Sequence, residues 1–211
     1  MDDAVLSKPA RSARKAKGSG HLRRAEILAA AERIFLAYGY EGATIRRIAE
    51  EVGVSSTALY MHFRDKSEIL VEICESAFAQ LLAQNTEIFA LAMDPVARVR
   101  QMLDAYMRFA FVNPNAYQVV YCSPDGSLSE AQQDSLRPMS DRCYELFVGA
   151  VARIADTGRL KGGVEETAQV SWTACHGLVA LLIARPNFVW ADQEALMKLM
   201  LDSLLNGLVR G

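Results

Sequence analysis

The chain has 211 residues, of which 51% are apolar, so it is long enough to bury a sizeable core in one or two domains. Its longest apolar runs fall well short of the roughly 18 to 20 residues that span a bilayer, and its N-terminus lacks the apolar stretch of a signal peptide. A formal net charge of −2 excludes a uniformly basic protein, and we expect a cytoplasmic chain with no membrane partner.

The charge is divided unevenly along the chain. Residues 1–66 contain 12 Lys/Arg against 8 Asp/Glu, a net of +4, whereas the remainder contains 11 against 17, a net of −6. Binding to nucleic acid needs cations near the phosphates and does not need a protein that is basic overall. The first third of the chain is therefore where phosphates can be neutralised. Residues 1–20 lack apolar periodicity and are expected to form a disordered basic arm that either contacts DNA or stays solvated. The cations of this arm are Lys8, Arg11, Arg14, Lys15 and Lys17.

Three helices are predicted next, and the last two are short and separated by a tight turn, as in a helix-turn-helix DNA-binding unit. The first covers residues 21–38 and ends at Gly39 and Gly42. Thr44 is an N-cap residue for the second helix, Gly53 fits the left-handed position after it, and Ser55 can cap the third. The inward-facing positions are Ile45, Ile48, Ala49 and Val52 in the second helix and Leu59 and Phe63 in the third.

The opposite side of the third helix carries Ser56, Thr57, Tyr60 and Met61. Small hydroxyls allow a helix to approach phosphates and base edges closely, tyrosine and lysine reach phosphates, and arginine can fork onto guanine. This surface therefore fits a major groove. A helical hairpin inside a bundle shows the same apolar spacing, so the flanking sequence must decide between the two interpretations.

Residues 39–70 read GYEGATIRRIAEEVGVSSTALYMHFRDKSEIL, with a Tyr60-x-His62-Phe63 signature followed by Lys66. This stretch resembles the DNA-binding domain of the TetR family of bacterial transcriptional regulators, and the resemblance runs from about residue 25 to residue 70. It implies that Thr44 lies near the DNA backbone, Arg46 near base edges, Ser56, Thr57 and Tyr60 in the groove, and His62 and Lys66 on phosphates. Ser55, the cap of the third helix, completes the predicted DNA-binding residues. Thr57, Ala58 and Met61 depart from the common family pattern, so the operator sequence cannot be read from these residues.

The rest of the chain is predicted to be helical, because no sustained period-2 alternation competes with helical spacing. Ser67 can cap a long helix that reaches about residue 93, Pro95 can open the next, and a short helix follows at about residues 116–121. Residues 123–127 are predicted to be a loop, and a long helix over residues 129–157 contains Pro138, which should kink or break it. The last two helices cover residues 164–185 and 192–207.

The resulting prediction is an all-α protein of about nine helices. It would comprise the basic arm (1–20), a three-helix helix-turn-helix DNA-binding domain (21–66) and a larger helical ligand-binding and dimerisation domain (67–211). The last two helices are apolar on more than one face, which requires two neighbours. The simplest second neighbour is the same surface of another copy, and the TetR resemblance implies such a homodimer. Two DNA-binding units held about one helical turn apart would recognise a near-palindromic operator.

The body is also rich in large aromatic or amphipathic side chains whose polar ends need partners when buried, and such a helical body can hold a pocket. The TetR resemblance implies a small, mainly hydrophobic effector there, and the segment Trp172 to Gly177 is similar to a Trp…His-Gly element of one class of TetR ligand-binding domains. Repression relieved by the effector is the preferred mechanism, with activation left open. The candidate ligand-binding residues are Phe78, Met102, Tyr106, Phe109, Tyr117, Tyr121, Trp172, Cys175 and His176.

Two other classes of function compete with a ligand-responsive regulator. An enzyme is disfavoured because GxSxG, P-loop, HExxH and GxGxxG motifs are absent, and neither a cofactor nor a metal site is expected. A thiol-based redox regulator of the same fold remains the alternative. Its cysteines would be Cys74, Cys122, Cys143 and Cys175, which show no CxxC or Cys/His spacing and are expected to be reduced thiols.

Overall fold

The computed structural model describes residues 20–122 and 128–210, and these residues form nine α-helices joined by short turns. The only β-type pairing within this part of the chain is an isolated antiparallel bridge between Leu160 and Val209. The expected basic arm, apart from its last residue, and the expected loop at residues 123–127 lie outside the described residues. The helices are α1 (Gly20–Gly42), α2 (Ile45–Val52), α3 (Ser56–Tyr60), α4 (Lys66–Ala90), α5 (Pro95–Val112), α6 (Pro114–Cys122), α7 (Glu130–Asp156), α8 (Val164–Ala184) and α9 (Gln193–Leu208).

The predicted caps of α2 and α3 are confirmed. The Thr44 side chain accepts a hydrogen bond from the backbone N–H of Arg47 at 3.2 Å, and the Ser55 hydroxyl accepts one from Ala58 at 3.1 Å. Gly53 adopts φ 74° and ψ 36°, the left-handed conformation that a residue without Cβ reaches at least cost. Near the end of α1, Gly39 has φ 67° and ψ 169°, so the regular helix is interrupted close to its predicted end.

The predicted cap of α4 was wrong by two residues. Asp65 is the N-cap, because its carboxylate accepts a hydrogen bond from the N–H of Glu68 at 2.9 Å, while the Ser67 hydroxyl donates to the same carboxylate oxygen at 2.6 Å. A negatively charged cap suits the positive end of the helix dipole better than a neutral hydroxyl. The helix also ends earlier than expected, at Ala90.

The boundaries of the later helices follow the sequence signals closely. Asp94 caps α5 through hydrogen bonds from the N–H groups of Val96 and Ala97, and Pro95 is the first helical residue. Ser129 and Gln132 form a reciprocal capping box at the start of α7. The break considered at Pro138 does not occur, since α7 continues through that residue to Asp156. A proline removes only one backbone donor from a helix of 27 residues, and the packed length of α7 can offset that loss.

The core connects helices α1 to α3 with the rest of the described chain. Helix α4 packs against α1 at one end and against α5, α6 and α7 along its length, while α1 also contacts α6. Helix α5 lies between α7 and the final pair, α8 and α9. The largest fully buried side chains span both regions, and they include Ile27, Ile48 and Phe63 near the N-terminus and Met102, Tyr117 and Met197 in the body.

Helix α8 is less buried than its apolar composition would require of a core helix. It is the one described helix that is long and apolar enough to cross a membrane by length and composition, and 28% of its most apolar window is buried. The sequence-based expectation considered uninterrupted apolar runs and therefore did not identify this helix. Part of the apolar surface of α8 is therefore exposed to solvent in the single chain.

Candidate functional site

Helix α3 presents two chemically distinct sides. Leu59 and Phe63 are 0% and 1% exposed and hold the helix against its neighbours. On the other side Tyr60 is 56% exposed and Met61 is 83% exposed. Thr57 is also exposed, and Ser56 and His62 are half-buried. The candidate groove-facing residues therefore share one accessible surface on a helix whose position is fixed by its buried side.

The cations next to this surface differ in how freely they can reach a phosphate. The Arg46 side chain is 83% exposed and pairs with Glu50, one turn further along α2, at 2.8 Å. The Lys66 side chain is 26% exposed, its ammonium donates to the carbonyl of Tyr40 at 2.7 Å, and it lies 4.1 Å from the centre of the Tyr40 ring. Arg46 is held by one surface ion pair, whereas Lys66 ties α4 to the end of α1.

Arg24 joins three parts of the DNA-binding region. Its guanidinium donates to the Glu72 carboxylate of α4 through Nε at 2.8 Å and to the carbonyl of His62 through Nη1 at 2.8 Å. It also lies 4.2 Å from the centre of the Phe63 ring. These contacts connect the residues that follow α3 to both α1 and α4.

The body contains a partly open cavity of about 510 Å³ lined by five helices. Such a volume is in the range of drug-sized ligand pockets. Helix α4 contributes Phe78, Leu81 and Asn85, α5 contributes Met102, Leu103 and Tyr106, and α6 contributes Tyr121. The opposite wall is formed by Ser140, Asp141, Cys143, Tyr144 and Phe147 of α7 and by Gln169, Trp172 and Thr173 of α8.

A hydrogen-bonded group lies beside the cavity. Nδ1 of His176 is 2.9 Å from the Tyr106 hydroxyl and 2.7 Å from the Tyr117 hydroxyl, so a neutral ring with its hydrogen on Nε2 accepts from one of these two hydroxyls at a time. Burial lowers the pKa of His176 below its usual value, which favours that neutral form. Burial also raises the pKa of Tyr106 above its usual range, so this hydroxyl remains a donor.

Two models of known protein families match this chain. A family model described as bacterial regulatory proteins, tetR family, matches residues 27–73, and a model of the tetracyclin repressor-like C-terminal domain matches residues 99–204. The chain belongs to the TetR family. It is accordingly a DNA-binding transcriptional regulator and not an enzyme.

Individual relatives of this TetR-family protein agree with that assignment. The transcriptional repressor AcnR of Corynebacterium diphtheriae is 42% identical over 67 residues, which cover 30% of the present chain and 35% of AcnR. The nucleoid occlusion factor SlmA of Vibrio cholerae is 28% identical over 142 residues, 67% of this chain and 70% of SlmA. The present chain thus matches only about a third of the length of AcnR. Among solved structures, the TetR-family regulator PfmR of Thermus thermophilus has a TM-score of 0.75 at 25% identity, covering 85% of this chain and 96% of PfmR.

The fold brings together five of the nine predicted ligand residues of the TetR-family body. The residues that line the cavity are Phe78, Met102, Tyr106, Tyr121 and Trp172. Tyr117 and His176 are not part of the lining, but both contact Tyr106. Phe109 and Cys175 are buried but do not line it.

The α7 wall of the cavity and Asn85 of α4 were not predicted from the sequence. The α7 residues Ser140, Cys143, Tyr144 and Phe147 share one helix face at i, i+3, i+4 and i+7, and that spacing was available as a signal. Asn85 is 7% exposed, and its Oδ1 has no hydrogen-bond partner among the described residues.

The thiols do not support the redox alternative for this TetR-family protein. Burial raises the pKa of Cys74 and of Cys175 to about 12, and that of Cys143 to about 11. A reactive sensor cysteine needs thiolate character, and these three thiols are held protonated at neutral pH. The Cys122 side chain lies outside the described residues.

The TetR-family body also exposes an apolar surface, here called the outer face, formed by Val170, Gly177 and Leu181 of α8 together with Leu199 of α9. Val170 is 48% exposed, Leu181 54% and Leu199 64%. A Cβ placed on Gly177 would meet no atom within 4 Å, so there is open space above this helix. The same helices bury Cys175, Val179, Met197 and Leu201 on their inner side, which accounts for their apolar character on two faces.

Proposed function

We propose that the protein is a cytoplasmic, homodimeric repressor that binds a near-palindromic operator through α3 and is released by a small, mainly hydrophobic molecule in the body cavity. The observation that carries the proposal is the course of α4. One end of this helix is tied to the DNA-binding helices through Lys66 and Glu72, and its other half lines the cavity with Phe78, Leu81 and Asn85. A ligand that shifts α4 therefore shifts α3.

A second route supports the same coupling. Tyr121 of α6 lines the cavity, and α6 packs against both α1 and α4. Movement of Tyr121 on ligand binding would be transmitted to α1, from which Arg24 holds the end of α3. A ligand can weaken DNA binding only by favouring the conformation that does not fit DNA, and a coupling free energy of about 1 to 3 kcal/mol lowers the affinity roughly 5- to 150-fold.

The outer face provides the surface for a homodimer. A second copy packed on it would cover the exposed side chains of α8 and α9 and form an isologous four-helix contact. Two α3 helices related by the dimer axis could then read two half-sites of one operator. A dimer also explains how a five-residue helix such as α3 achieves sequence specificity.

The test begins with selection of binding sites from random-sequence duplex DNA, followed by fluorescence anisotropy on the selected site with salt and with unrelated competitor DNA. We expect tight, competitor-resistant binding, two protomers per site and a steep salt dependence. Tyr60→Phe and Arg46→Ala should each weaken specific binding by about 1 to 3 kcal/mol while dimerisation persists.

The matched control is Arg137→Ala. Arg137 is also an exposed arginine in a local helical ion pair, with Asp134 at 3.0 Å, but it lies on α7 in the body. This variant should bind the operator as the unmodified protein does. The groove assignment is wrong if Tyr60→Phe and Arg46→Ala retain the affinity and sequence preference of the control.

A further inference from the structure

The composition of the cavity wall narrows the class of effector. We infer that the cavity binds an aromatic molecule that has no negative charge and that donates an O–H or N–H hydrogen bond to Asn85. This inference rests on the proposed ligand-responsive function and specifies its ligand. Three properties of the cavity carry it: the charge of the wall, its aromatic surface and the unpaired oxygen of Asn85.

The described residues that line the cavity include no lysine and no arginine, and the one carboxylate among them is Asp141. The nearest cation along α7, Arg142, is exposed and does not line the cavity. The hydroxyls of Tyr106 and Tyr121 and the thiol of Cys143 stay neutral, because burial raises the pKa of each. A ligand carboxylate or phosphate would lose its water without gaining a positive partner, and it would also face Asp141.

Aromatic rings form much of the wall on every side. They belong to Phe78, Tyr106, Tyr121, Tyr144, Phe147 and Trp172, which come from all five helices around the cavity. Several already contact one another edge to face or tilted, with ring centres 6.1 Å apart for Tyr106 and Tyr121 and 6.0 Å apart for Tyr144 and Trp172. A flat aromatic ligand can continue these contacts, because ring pairs favour offset or edge-to-face packing.

Asn85 supplies the directional contact. This residue is only 7% exposed, it lines the cavity, and its Oδ1 has no partner among the described residues. A buried carbonyl oxygen without a hydrogen bond is destabilising, so pairing it with a ligand donor favours a turn of the Asn85 amide that brings Oδ1 to the cavity surface. Since Asn85 belongs to α4, this hydrogen bond acts on the helix that also positions the DNA-binding end.

The experiment uses three probes on one ring system: 9-anthracenemethanol, its methyl ether and 9-anthracenecarboxylate. Binding is measured by the fluorescence anisotropy of the probe with the full-length protein in the absence of DNA. We expect the alcohol to bind about tenfold more tightly than the ether, which cannot donate, and the carboxylate to bind more weakly than either. Equal or tighter binding of the carboxylate would overturn the inference, as would a failure of all three probes to bind.

Two variants identify the residue responsible. Asn85→Leu should abolish the difference between the alcohol and the ether while leaving the protein folded, because it removes an unpaired oxygen from a buried position. Ser171→Ala is the matched control. Ser171 is 1% exposed and its Oγ also lacks a partner among the described residues, but it does not line the cavity. If the alcohol remains favoured in Asn85→Leu, Asn85 is not the acceptor.

Release of DNA is then measured separately with the alcohol. If the alcohol binds as expected but operator affinity does not change, the ligand class stands and the proposed release mechanism fails. If operator binding responds to the carboxylate and not to the alcohol, the proposed function stands and the ligand class is wrong.

Discussion

Lys66 links the start of α4 to the end of α1. Its hydrogen bond to the Tyr40 carbonyl and its contact with the Tyr40 ring give it a part in holding α1 to α4. Lys66→Met retains most of the aliphatic side chain and removes both interactions. We expect the free energy of unfolding to fall by about 1 to 2 kcal/mol, measured by urea denaturation.

Lys198→Met is the control for that substitution. Lys198 is 73% exposed in a one-turn ion pair with Asp202, and such surface pairs contribute little to stability. The structural role of Lys66 would be contradicted by an unchanged unfolding curve combined with a weaker salt dependence of DNA binding. That result would support the phosphate contact predicted from the sequence.

His176 predicts a dependence of stability on pH. Its pKa in the folded protein lies below the ordinary value near 6.5, because burial disfavours the charged ring. Between the two pKa values the unfolded chain binds more protons, so stability is complete above pH 6.5 and declines as the pH falls below it. Protonation also converts Nδ1 from an acceptor into a donor, so the tyrosine hydroxyl that donates to it must turn and accept instead.

The decline should be visible as a lower Tm between about pH 6.5 and pH 5 and should shrink in His176→Gln, which cannot titrate. His62→Gln serves as the comparison, since the half-buried His62 lies near the DNA-binding surface and not in the body. An unchanged pH dependence in His176→Gln would assign the effect to other groups.

At the scale of helices, the boundaries could be predicted where the signal is local. Thr44, Gly53 and Ser55 act through atoms within a few residues of themselves, so their roles follow from sequence alone. The cap of α4 could not be predicted from local signals alone. Asp65 and Ser67 are both acceptable caps, and the choice depends on where the helix begins: a start at Lys66 places the N–H of Glu68 within reach of the Asp65 carboxylate.

The cavity depends on contacts between distant helices and could be predicted only in part. Phe78, Met102 and Tyr106 were predicted because large aromatic and flexible side chains mark a body core. Tyr144 and Phe147 belong to a helix that was predicted correctly, but its orientation toward α4 and α8 is a property of the packed molecule. Asn85 carried no signal at all, since a lone asparagine on a long helix is ordinarily solvent-exposed.

At the scale of the whole molecule, the positively charged and the acidic parts of the chain have different functions in the proposed dimer. The segment that carries α1 to α3 is net positive, and the acidic remainder contains the cavity and the outer face. Attraction to phosphates would therefore orient the molecule with α3 toward DNA. Operator recognition by two α3 helices also makes DNA affinity depend on the outer face, far from any DNA contact.

Leu181→Glu tests this dependence. Leu181 is 54% exposed on α8, so a glutamate is tolerated in the monomer but becomes a buried, unpaired charge if a second copy covers the outer face. We expect sedimentation equilibrium to show a monomer and operator affinity to fall by more than about a hundredfold, because one α3 contacts only a half-site. Val112→Glu is the matched control, since Val112 is 78% exposed at the end of α5 and outside the outer face. A Leu181→Glu protein that remains dimeric with unchanged operator affinity would place the dimer contact elsewhere, and a Val112→Glu monomer would move it toward α5.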